Sequence, residues 1–578
     1  MNTPITAGSS STKQQTIRDL FDLFRPFQVP AYQRAFAWEH KHVEQFIEDL
    51  REQPADKPYY LGHFLLEHGD NGIVYVIDGQ QRLTTLTLVF GCVVRLLTKA
   101  GVIEPFVDTL RQHYVGRRLN MHFQTVDEDK QIFEDLVFEG TTRASKRTRS
   151  QERLIIASSY LEKALSKENS ETLVKWTNAL TGAHITYFPV NDKIQATQIF
   201  TFQNSRGKEL TEFEKLKAFL MHQIYLYMPG DKANEAIKRV EHHFSEMYRD
   251  MEYIRYLDEN GVLRHHDHAY SRHWKMPLEN LKADLAALDD GEAKVKEIAK
   301  FCKMLAYTFQ HVREIEKIMV NDELLADPLI LDAGNSWPLL IKLYGIFQEG
   351  ILKEPDVRVL LRDVEIVLFK MDFQHGSVTN NLVHHAKELR DKPDLHSIRK
   401  SLDAAVHKGF GHNRWTFDSD ALTYFNGDYH YHRITRYLLW KYENELTNDK
   451  DRKVKPGDYL NFWEKSNMES TIEHISAVHP RGTPNTEEFN RQFLNNVGNL
   501  VLMPKGMNSS LGNQADEDKK PIYDRSTYNA HREIGEMMQP QGEWTKDKIG
   551  KRKEKIVAFI CKRWQIPIPA PSSEAHTQ

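Results

Sequence analysis

Five consecutive residues, Asp78-Gly79-Gln80-Gln81-Arg82, stand where a β-rich run ends and a helical pattern begins. A strand-to-helix turn directs backbone N–H groups and the positive end of the helix dipole toward one point, which suits a phosphate group. Arg82 adds a planar, permanently charged guanidinium that binds two phosphate oxygens at once. The turn therefore predicts phosphate binding, and the alternative is a tight turn with Arg82 in a surface salt bridge.

A second group near the C-terminus has the residue types that phosphodiester hydrolysis requires: Glu473, His474, Asn499 and Asn508. The reaction needs a base for the attacking water, a cation on the scissile phosphate and a fixed geometry. We predict His474 as the general base, with the amide of Asn499 holding its imidazole in one tautomer. Glu473 and Asn508 would supply the hard oxygen ligands that suit Mg²⁺. His479 is a rival base, and each residue taken singly has a structural alternative as a turn, cap or polar side chain.

A basic helix is predicted downstream, because basic residues are interleaved with apolar ones between residues 544 and 564. Such a helix buries one face and presents a basic one, which usually means a solvated surface. Beside a candidate nuclease centre, the basic face predicts salt-sensitive contacts with the DNA backbone. We assign these contacts to Lys551, Arg552 and Lys555. A second basic stretch, residues 143–153, is interpreted as a solvated loop.

Strands and helices must position these side chains. Residues 61–67 and 73–77 have strand patterns separated by Gly-Asp-Asn-Gly, which predicts a hairpin. Apolar residues then recur at three- and four-residue intervals from Leu83 to Leu97, which predicts a helix. Three further elements are predicted: a strand over 183–190, a helix over 194–202, and a helix that starts at a capping box of Thr211 and Glu214.

The middle of the chain, residues 231–430, has a mostly helical pattern and no chemical motif. Its histidine-rich run at 265–268 is interpreted as a surface loop rather than a metal site, because the ligand spacing is irregular. An amphipathic, aromatic-rich helix over 431–446 opens the last domain. We place the domain boundaries at a disordered lead (1–16), three folded regions (17–230, 231–430 and 431–567) and a flexible tail (568–578).

Length and composition limit the class of protein. A chain of 578 residues predicts two to four domains, and its 27% charged content with a net charge of −4 excludes a uniformly basic nucleic-acid binder. The three cysteines are far apart, which fits a reducing compartment without disulfides. The polar N-terminus is not a signal peptide, and no apolar run is long enough for a bilayer. We therefore expect a cytoplasmic protein with no membrane partner.

The motifs at both ends resemble the GmrSD-type modification-dependent restriction endonucleases, a group that includes the SspE and BrxU proteins. Residues 29–39 resemble the early Pro-x-x-Gln-Arg-x-x-x-Trp segment of the family, 78–84 its Asp-Gly-Gln-Gln-Arg motif and 202–210 its Asn-x-Arg-Gly-x-x-Leu segment. Near the C-terminus, 473–475, 498–500 and Asn508 match the terminal HNH-like nuclease domain. The chain departs from the pattern in two places: Ser476 to His479 precede Pro480 where the family has an earlier Pro, and Glu214 replaces an Asp.

The resemblance implies an α+β multidomain fold. The N-terminal α/β domain would be similar to ParB and sulfiredoxin and would bind and hydrolyse a nucleoside triphosphate. A helical middle region would follow, and then a ββα-metal (HNH-like) nuclease domain with surrounding helices. No Gly-x-x-x-x-Gly-Lys-Ser/Thr loop occurs, so a P-loop enzyme is not supported. The nucleotide-binding residues implied by the family are Gln33, Arg34, Asp78, Gln80, Gln81, Arg82, Thr84, Asn204 and Arg206.

The expected function is a nucleotide-regulated, metal-dependent endonuclease that nicks or cleaves modified foreign or phage double-stranded DNA. The expected cofactors are Mg²⁺ or Mn²⁺ and a nucleoside triphosphate, GTP or UTP rather than ATP; a homo-oligomer is left open. Glycosylated bases, methylated bases and phosphorothioate backbones all remain open as the modification.

The rival hypothesis is a nucleotide-switched DNA-binding regulator with an inactive nuclease domain. A sulfiredoxin-like redox enzyme is disfavoured, because Cys92 lies on the apolar face of the helix that follows Arg82.

Overall fold

The computed structural model describes residues 15–566 except 55–56, 70–71, 103–104, 145–146, 191–210, 272–275, 332–334, 373–395, 397–398, 401–432, 461–471, 481–483, 505–506, 508–510, 512–513 and 540–541. The chain divides into two compact units. The N-terminal unit comprises Met1–Leu263 and Lys275–Arg313, and the C-terminal unit comprises Arg264–Trp274 and Glu314–Gln578.

A mixed six-stranded sheet organises the N-terminal unit. Its strand order is β1-β8-β3-β4-β2-β7. The β3–β4 pair is the predicted antiparallel hairpin, and β8 runs parallel to β3. A separate small pair is formed by β5 and β6. The strands of this unit are β1 (Gln15–Thr16), β2 (Phe27–Gln28), β3 (Tyr60–His68), β4 (Val74–Asp78), β5 (Gly116–Arg117), β6 (Asn120–Met121), β7 (Phe123–Gln124) and β8 (His184–Val190).

Helix α3 is the centre of this unit, because nearly all of its faces are buried in one hydrophobic core with the sheet and neighbouring helices. It begins at Gln80, three residues earlier than the apolar periodicity predicts. Gly79 takes a left-handed conformation (φ 96°) as its N-cap, which a residue with a side chain rarely adopts. The helices here are α1 (Ile17–Leu23), α2 (His40–Glu52), α3 (Gln80–Lys99), α4 (Phe106–Leu110), α5 (Lys130–Glu139), α6 (Arg149–Leu165), α7 (Ser170–Thr181), α8 (Glu212–Tyr227) and α9 (Gly230–Met251).

The middle of the chain is helical, as predicted, within the residues that the structure describes. Its helices are α10 (Glu259–Tyr270), α11 (Pro277–Ala286), α12 (Gly291–Met319), α13 (Glu323–Leu331), α14 (Trp337–Gln348) and α15 (Glu354–Asp372). The interpretation of residues 265–268 as a surface loop is wrong. They lie within α10, where His266 and Asp267 are buried.

A short two-stranded ribbon and the helices around it form the C-terminal part of the second unit. Strand β9 (Ile472–His474) pairs antiparallel with β10 (Leu500–Leu502), with His474 opposite Leu500. The helices are α16 (Arg433–Glu445), α17 (Pro456–Tyr459), α18 (Glu487–Phe489), α19 (Asp516–Asp524), α20 (Asn529–Met537) and α21 (Lys546–Arg563). The predicted helices over 431–446 and within 544–564 are therefore confirmed.

Two other predictions have clear outcomes. The capping box at Thr211 and Glu214 is present and starts α8. The basic stretch 143–153 is only partly a loop, because a capping box at Thr148 starts α6 at Arg149. The helix predicted over 194–202 lies outside the described residues. Within the described part of the chain, no helix combines the length and apolarity needed to cross a lipid bilayer.

Candidate functional site

The guanidinium of Arg82 lies in the first turn of α3 and is 21% exposed. It donates a hydrogen bond to the carbonyl of Leu61 (3.0 Å) and packs over the ring of Phe64 at 4.9 Å. Gly62 makes this position accessible: a Cβ there would lie 2.0 Å from an Arg82 nitrogen, and its φ of +101° already disfavours a side chain. The strand residue Gly62 thus leaves a cradle that Arg82 fills.

Asp78, at the end of β4, faces the imidazole of His63 and the guanidinium of Arg82. Its Oδ2 lies 3.2 Å from Nε2 of His63 and 3.6 Å from a nitrogen of Arg82. Burial favours a raised pKa for Asp78, but the hydrogen bond with His63 and the charge of Arg82 outweigh burial, so the pKa is lowered. Asp78 therefore carries a negative charge beside Arg82 near neutral pH. His63 is a member of this group that the sequence did not suggest.

The two glutamines differ in role. Gln81 accepts a hydrogen bond from the amide of Ala37 (2.8 Å) and donates one to the carbonyl of Ala35 (3.1 Å), which fastens the segment after Arg34 to the start of α3. Gln80 is 8% exposed, and its Oε1 has no hydrogen-bond partner among the described residues. An unsatisfied buried acceptor is costly, so Gln80 is suited to a donor on a bound molecule.

The start of α8 also contacts the segment 32–37. Glu214 lies 3.6 Å from Arg34, and Nζ of Lys217 donates to the carbonyl of Tyr32 at 3.1 Å. Burial lowers the pKa of Lys217 to about 8. Segment 32–37, the first turn of α3 and the start of α8 thus converge, which places the buried Gln33 close to the other predicted residues.

One predicted nucleotide-binding residue, Thr84, does not join this group, and two others are not described. Thr84 is 3% exposed, and its hydroxyl donates to the carbonyl of Gln80 within α3, so it is not available to a ligand. This burial follows from helix periodicity, since residues 80 and 84 share one face. Asn204 and Arg206 lie outside the described residues.

In the C-terminal unit, His474 ends strand β9 and is 7% exposed. Its Nε2 lies 2.8 Å from Oδ1 of Asn495, not from Asn499 as the sequence predicted. An amide oxygen only accepts, so Nε2 donates this hydrogen bond. Asn495 is therefore the amide that sets the tautomer. The run Asn495-Asn496 before Gly498 is the sequence signal that could have suggested it.

Asn499 has a structural role instead. Its side chain accepts from the amide of Ser476 (2.9 Å) and donates to the carbonyls of Ser476 (3.3 Å) and Leu494 (2.8 Å). It lies in a tight turn before β10 rather than at the end of a strand. These bonds tie the segment after His474 to the loop that contains Asn495. Asn499 therefore builds the frame of the site.

Glu473 points to the opposite face of β9 from His474. Its Oε1 lies 2.6 Å from Nζ of Lys519, and burial raises the pKa of Glu473 although Lys519 opposes the shift. Among the described residues, no group of three or more His, Cys, Asp or Glu side chains could hold a metal ion. Glu473 is paired with Lys519, and Asn508 lies outside the described residues, so the predicted ligand pair stays a prediction. The rival base His479 is exposed, beyond the end of β9.

The predicted DNA contacts divide by burial. Lys551 and Lys555 are 65% and 55% exposed and pair with Asp547 and Glu533. Arg552 is wrong as a DNA contact, because its side chain is fully buried and it donates to the carbonyls of Val497, Gly498 and Leu500. One face of a helix recurs every three or four residues, and the buried face of α21 includes position 552 with Ile549 and Ile556.

Comparison with known proteins gives the family. Residues 17–221 match the family described as GmrSD restriction endonuclease, N-terminal domain, and residues 415–559 match GmrSD restriction endonucleases, C-terminal domain. No curated protein matches the chain. The two matches contain the Arg82 group and the His474 group respectively. They confirm the resemblance seen in the motifs: the chain belongs to the GmrSD-like type IV restriction endonucleases, and its family activity is the cleavage of DNA.

Proposed function

We propose that this DNA endonuclease cuts modified DNA with His474 as its general base, and that a nucleoside triphosphate bound near Arg82 regulates the cut. The observation that carries the proposal is the 2.8 Å hydrogen bond between His474 and Asn495, inside the region matched to the family's C-terminal domain. A histidine whose second nitrogen is held by a fixed acceptor has the orientation expected of a base.

The chemistry at His474 follows from its tautomer. With the proton on Nε2, the Nδ1 lone pair accepts a proton from the water that attacks the phosphodiester. Asn495 stabilises the imidazolium that forms, while Asn499 keeps the β9 segment in register with the loop before β10. The antiparallel β9–β10 pair would be the ββ part of the ββα arrangement of an HNH-like domain.

The divalent cation is treated separately, since the described residues do not form a complete ligand set. Phosphodiester hydrolysis commonly uses a cation on the scissile phosphate. We expect cleavage to require Mg²⁺ or Mn²⁺. Loss of cleavage in EDTA with recovery on adding either metal supports this requirement, and undiminished cleavage in EDTA contradicts it.

The nucleotide would lie against the first turn of α3. Arg82 would bind phosphate oxygens, as its partly exposed guanidinium and the helix N-terminus favour. Gln80 would donate or accept at the same molecule, and Arg34 would add a second cation. Bound nucleotide supplies a phosphoanhydride whose hydrolysis releases free energy. We expect GTP or UTP to be hydrolysed faster than ATP, and loss of hydrolysis in Arg82→Ala.

Nucleotide turnover is proposed to gate the nuclease. His474 is only 7% exposed, so a DNA phosphate reaches it only after neighbouring residues move. Linkage requires that DNA and nucleotide change each other's binding by the same factor. We expect modified DNA to alter nucleotide affinity and hydrolysis, measured by fluorescent-nucleotide titration and phosphate release. Identical values with modified DNA, unmodified DNA and no DNA contradict gating.

Plasmid nicking tests the central assignment. His474→Ala should lower cleavage of modified plasmid by about 100-fold or more, the usual contribution of a general base. His479→Ala is the matched control, because this exposed histidine lies five residues away, beyond the end of β9. Asn495→Ala should lower cleavage less and shift its pH profile. Full activity in His474→Ala, or loss of activity in His479→Ala alone, overturns the assignment.

A second candidate function is a nucleotide-switched DNA-binding regulator with an inactive nuclease domain. One observation favours it: no metal-ligating group of three carboxylates, histidines or cysteines occurs among the described residues. This candidate predicts nucleotide-dependent DNA binding in a mobility-shift assay, no nicking with Mg²⁺ or Mn²⁺, and no effect of His474→Ala. Nicking by the wild type excludes it.

A further inference from the structure

The amine of Lys519 lies directly behind the strand that carries His474. Lys519 is on α19 and its side chain is fully buried. Its Nζ lies 2.6 Å from Oε1 of Glu473, 2.8 Å from the carbonyl of His474 and 3.1 Å from the carbonyl of Ile475. An ammonium group has three N–H donors, so these acceptors use all of them. One side chain therefore holds three consecutive residues.

We propose that Lys519 is a positioning residue of the nuclease site, and that Glu473 is its counter-ion rather than a ligand of the divalent metal. The proposal rests on the function proposed for His474. It replaces the expectation from sequence that Glu473 binds Mg²⁺. An Mg²⁺ ion on Glu473 would lie within a few ångströms of a buried ammonium, and like charges repel strongly where water is excluded.

The positioning acts through the backbone of β9. This strand has three residues, and β10 is its pairing partner in the described structure. Lys519 binds the carbonyl of His474 itself, which fixes the peptide plane from which the imidazole projects toward Asn495. Catalytic geometry is sensitive to such support, since a shift of about 1 Å can cost about 100-fold in rate.

A second contact from the same helix supports this role. Asp516, the first residue of α19, lies one turn before Lys519. Its Oδ2 accepts from the backbone amide of Trp544 (3.2 Å) and from the hydroxyl of Ser476 (3.4 Å), two residues after His474. Helix α19 thus contacts the segment Glu473 to Ser476 through two side chains, Lys519 and Asp516.

The experiment compares Lys519→Met with Lys520→Met in the full chain. Lys520 is the matched control, because it is the next residue of α19 and pairs with Asp524 at 2.5 Å outside the Glu473 group. We expect Lys519→Met to lower kcat for plasmid nicking by about 10- to 100-fold with little change in KM. Lys519→Arg should recover part of the loss, and Lys520→Met should match the wild type.

Metal binding gives a readout that does not depend on cleavage. Mn²⁺ affinity, measured by electron paramagnetic resonance, should be unchanged in Glu473→Gln. The double variant Lys519→Met with Glu473→Gln should be no worse in kcat than Lys519→Met alone, since both changes break one pair. If Glu473→Gln weakens Mn²⁺ binding about 10-fold while Lys519→Met strengthens it, Glu473 is a ligand and the proposal is overturned.

The outcomes separate this proposal from the function on which it rests. Full nicking by His474→Ala removes the proposed base, whatever Lys519 does. An inactive His474→Ala combined with a fully active Lys519→Met removes the positioning role alone. Thermal unfolding is recorded for every variant; should Lys519→Met not fold, Glu473→Gln and Lys519→Arg, which retain size, carry the same comparison.

Discussion

The two candidate centres each contain an ion pair, and the pairs differ in exposure. Asp78 and Arg82 are 27% and 21% exposed with 3.6 Å between their charged atoms, whereas Glu473 and Lys519 are 8% and 0% exposed at 2.6 Å. A partly hydrated, loosely spaced pair loses little when a ligand replaces one partner, since such pairs contribute only about 0–1 kcal/mol. In a buried pair, the loss of one partner is strongly destabilising, because the other charge stays buried without compensation.

The pKa values of the two carboxyl groups shift in opposite directions for the same reason. Burial favours the neutral acid in both, and the outcome depends on the groups beside each carboxyl. At Asp78, His63 and Arg82 outweigh burial and lower the pKa; at Glu473, burial outweighs Lys519 and the pKa is raised. The difference teaches that a motif carboxyl group is partly exposed beside its cation at one end of this chain and buried in an ion pair at the other.

The largest expected effect tests whether a fully buried charged side chain stabilises the fold. Arg552 is fully buried, binds three carbonyls and lies 3.4 Å from Glu533. Arg552→Met should lower the free energy of unfolding by about 3–5 kcal/mol, because it leaves three carbonyls without their donor and removes the buried cation beside Glu533. Urea unfolding measures this loss. A variant of normal stability that binds DNA more weakly would restore Arg552 as a DNA contact and break the comparison.

A buried carboxyl group with no ammonium partner among the described residues sharpens the comparison. Asp129 accepts a hydrogen bond from Ser150, and burial raises its pKa from 3.8 to about 7. The folded state therefore holds a proton that the unfolded chain has lost, and stability falls as pH rises from about 4 to 7. Between pH 5 and pH 8, the wild type should lose up to about 2–3 kcal/mol relative to Asp129→Asn in urea unfolding. Equal losses in both proteins contradict this.

The partly exposed pair of Asp78 and Arg82 is tested by a substitution that displaces the Arg82 side chain but leaves it in the protein. Gly62→Ala would place a methyl group 2.0 Å from an Arg82 nitrogen. We expect nucleotide affinity to fall about 10-fold, or about 1.4 kcal/mol. Gly72→Ala is the control, because Gly72 also has a positive φ (+73°) but open space around it. Both variants share the backbone strain, so an equal loss of nucleotide binding in the two would show that the cradle does not matter.

The smallest effect concerns exposed charges on α21. Lys551→Glu with Lys555→Glu should weaken DNA binding a few-fold and reduce its salt dependence, while unfolding changes by less than about 0.5 kcal/mol. Lys300→Glu is the control, since Lys300 is 71% exposed on α12 and pairs with Glu297 of the same helix. Fluorescence anisotropy at two salt concentrations distinguishes them. Equal binding by the double variant and the control removes α21 from the DNA interface.

Much of the fold could be predicted because its signals are local. The β3–β4 hairpin, strand β8, the capping box at Thr211 and the helices α16 and α21 follow from side-chain spacing and turn residues. The prediction of a surface loop at 265–268 was wrong because His266 and Asp267 are buried by tertiary contacts. Periodicity describes one element at a time and does not reveal which polar side chains a neighbouring element will cover.

The sequence by itself determined the family, the strand-to-helix turn at Arg82 and the histidine at position 474. Only the tertiary structure decided the partners: His63 at Asp78, Asn495 at His474 and Lys519 at Glu473. These partners come from 15 to 46 residues away along the chain. Hydrogen bonds and ion pairs depend on distances of about 3 Å, and chain spacing specifies such distances only within one helix or turn.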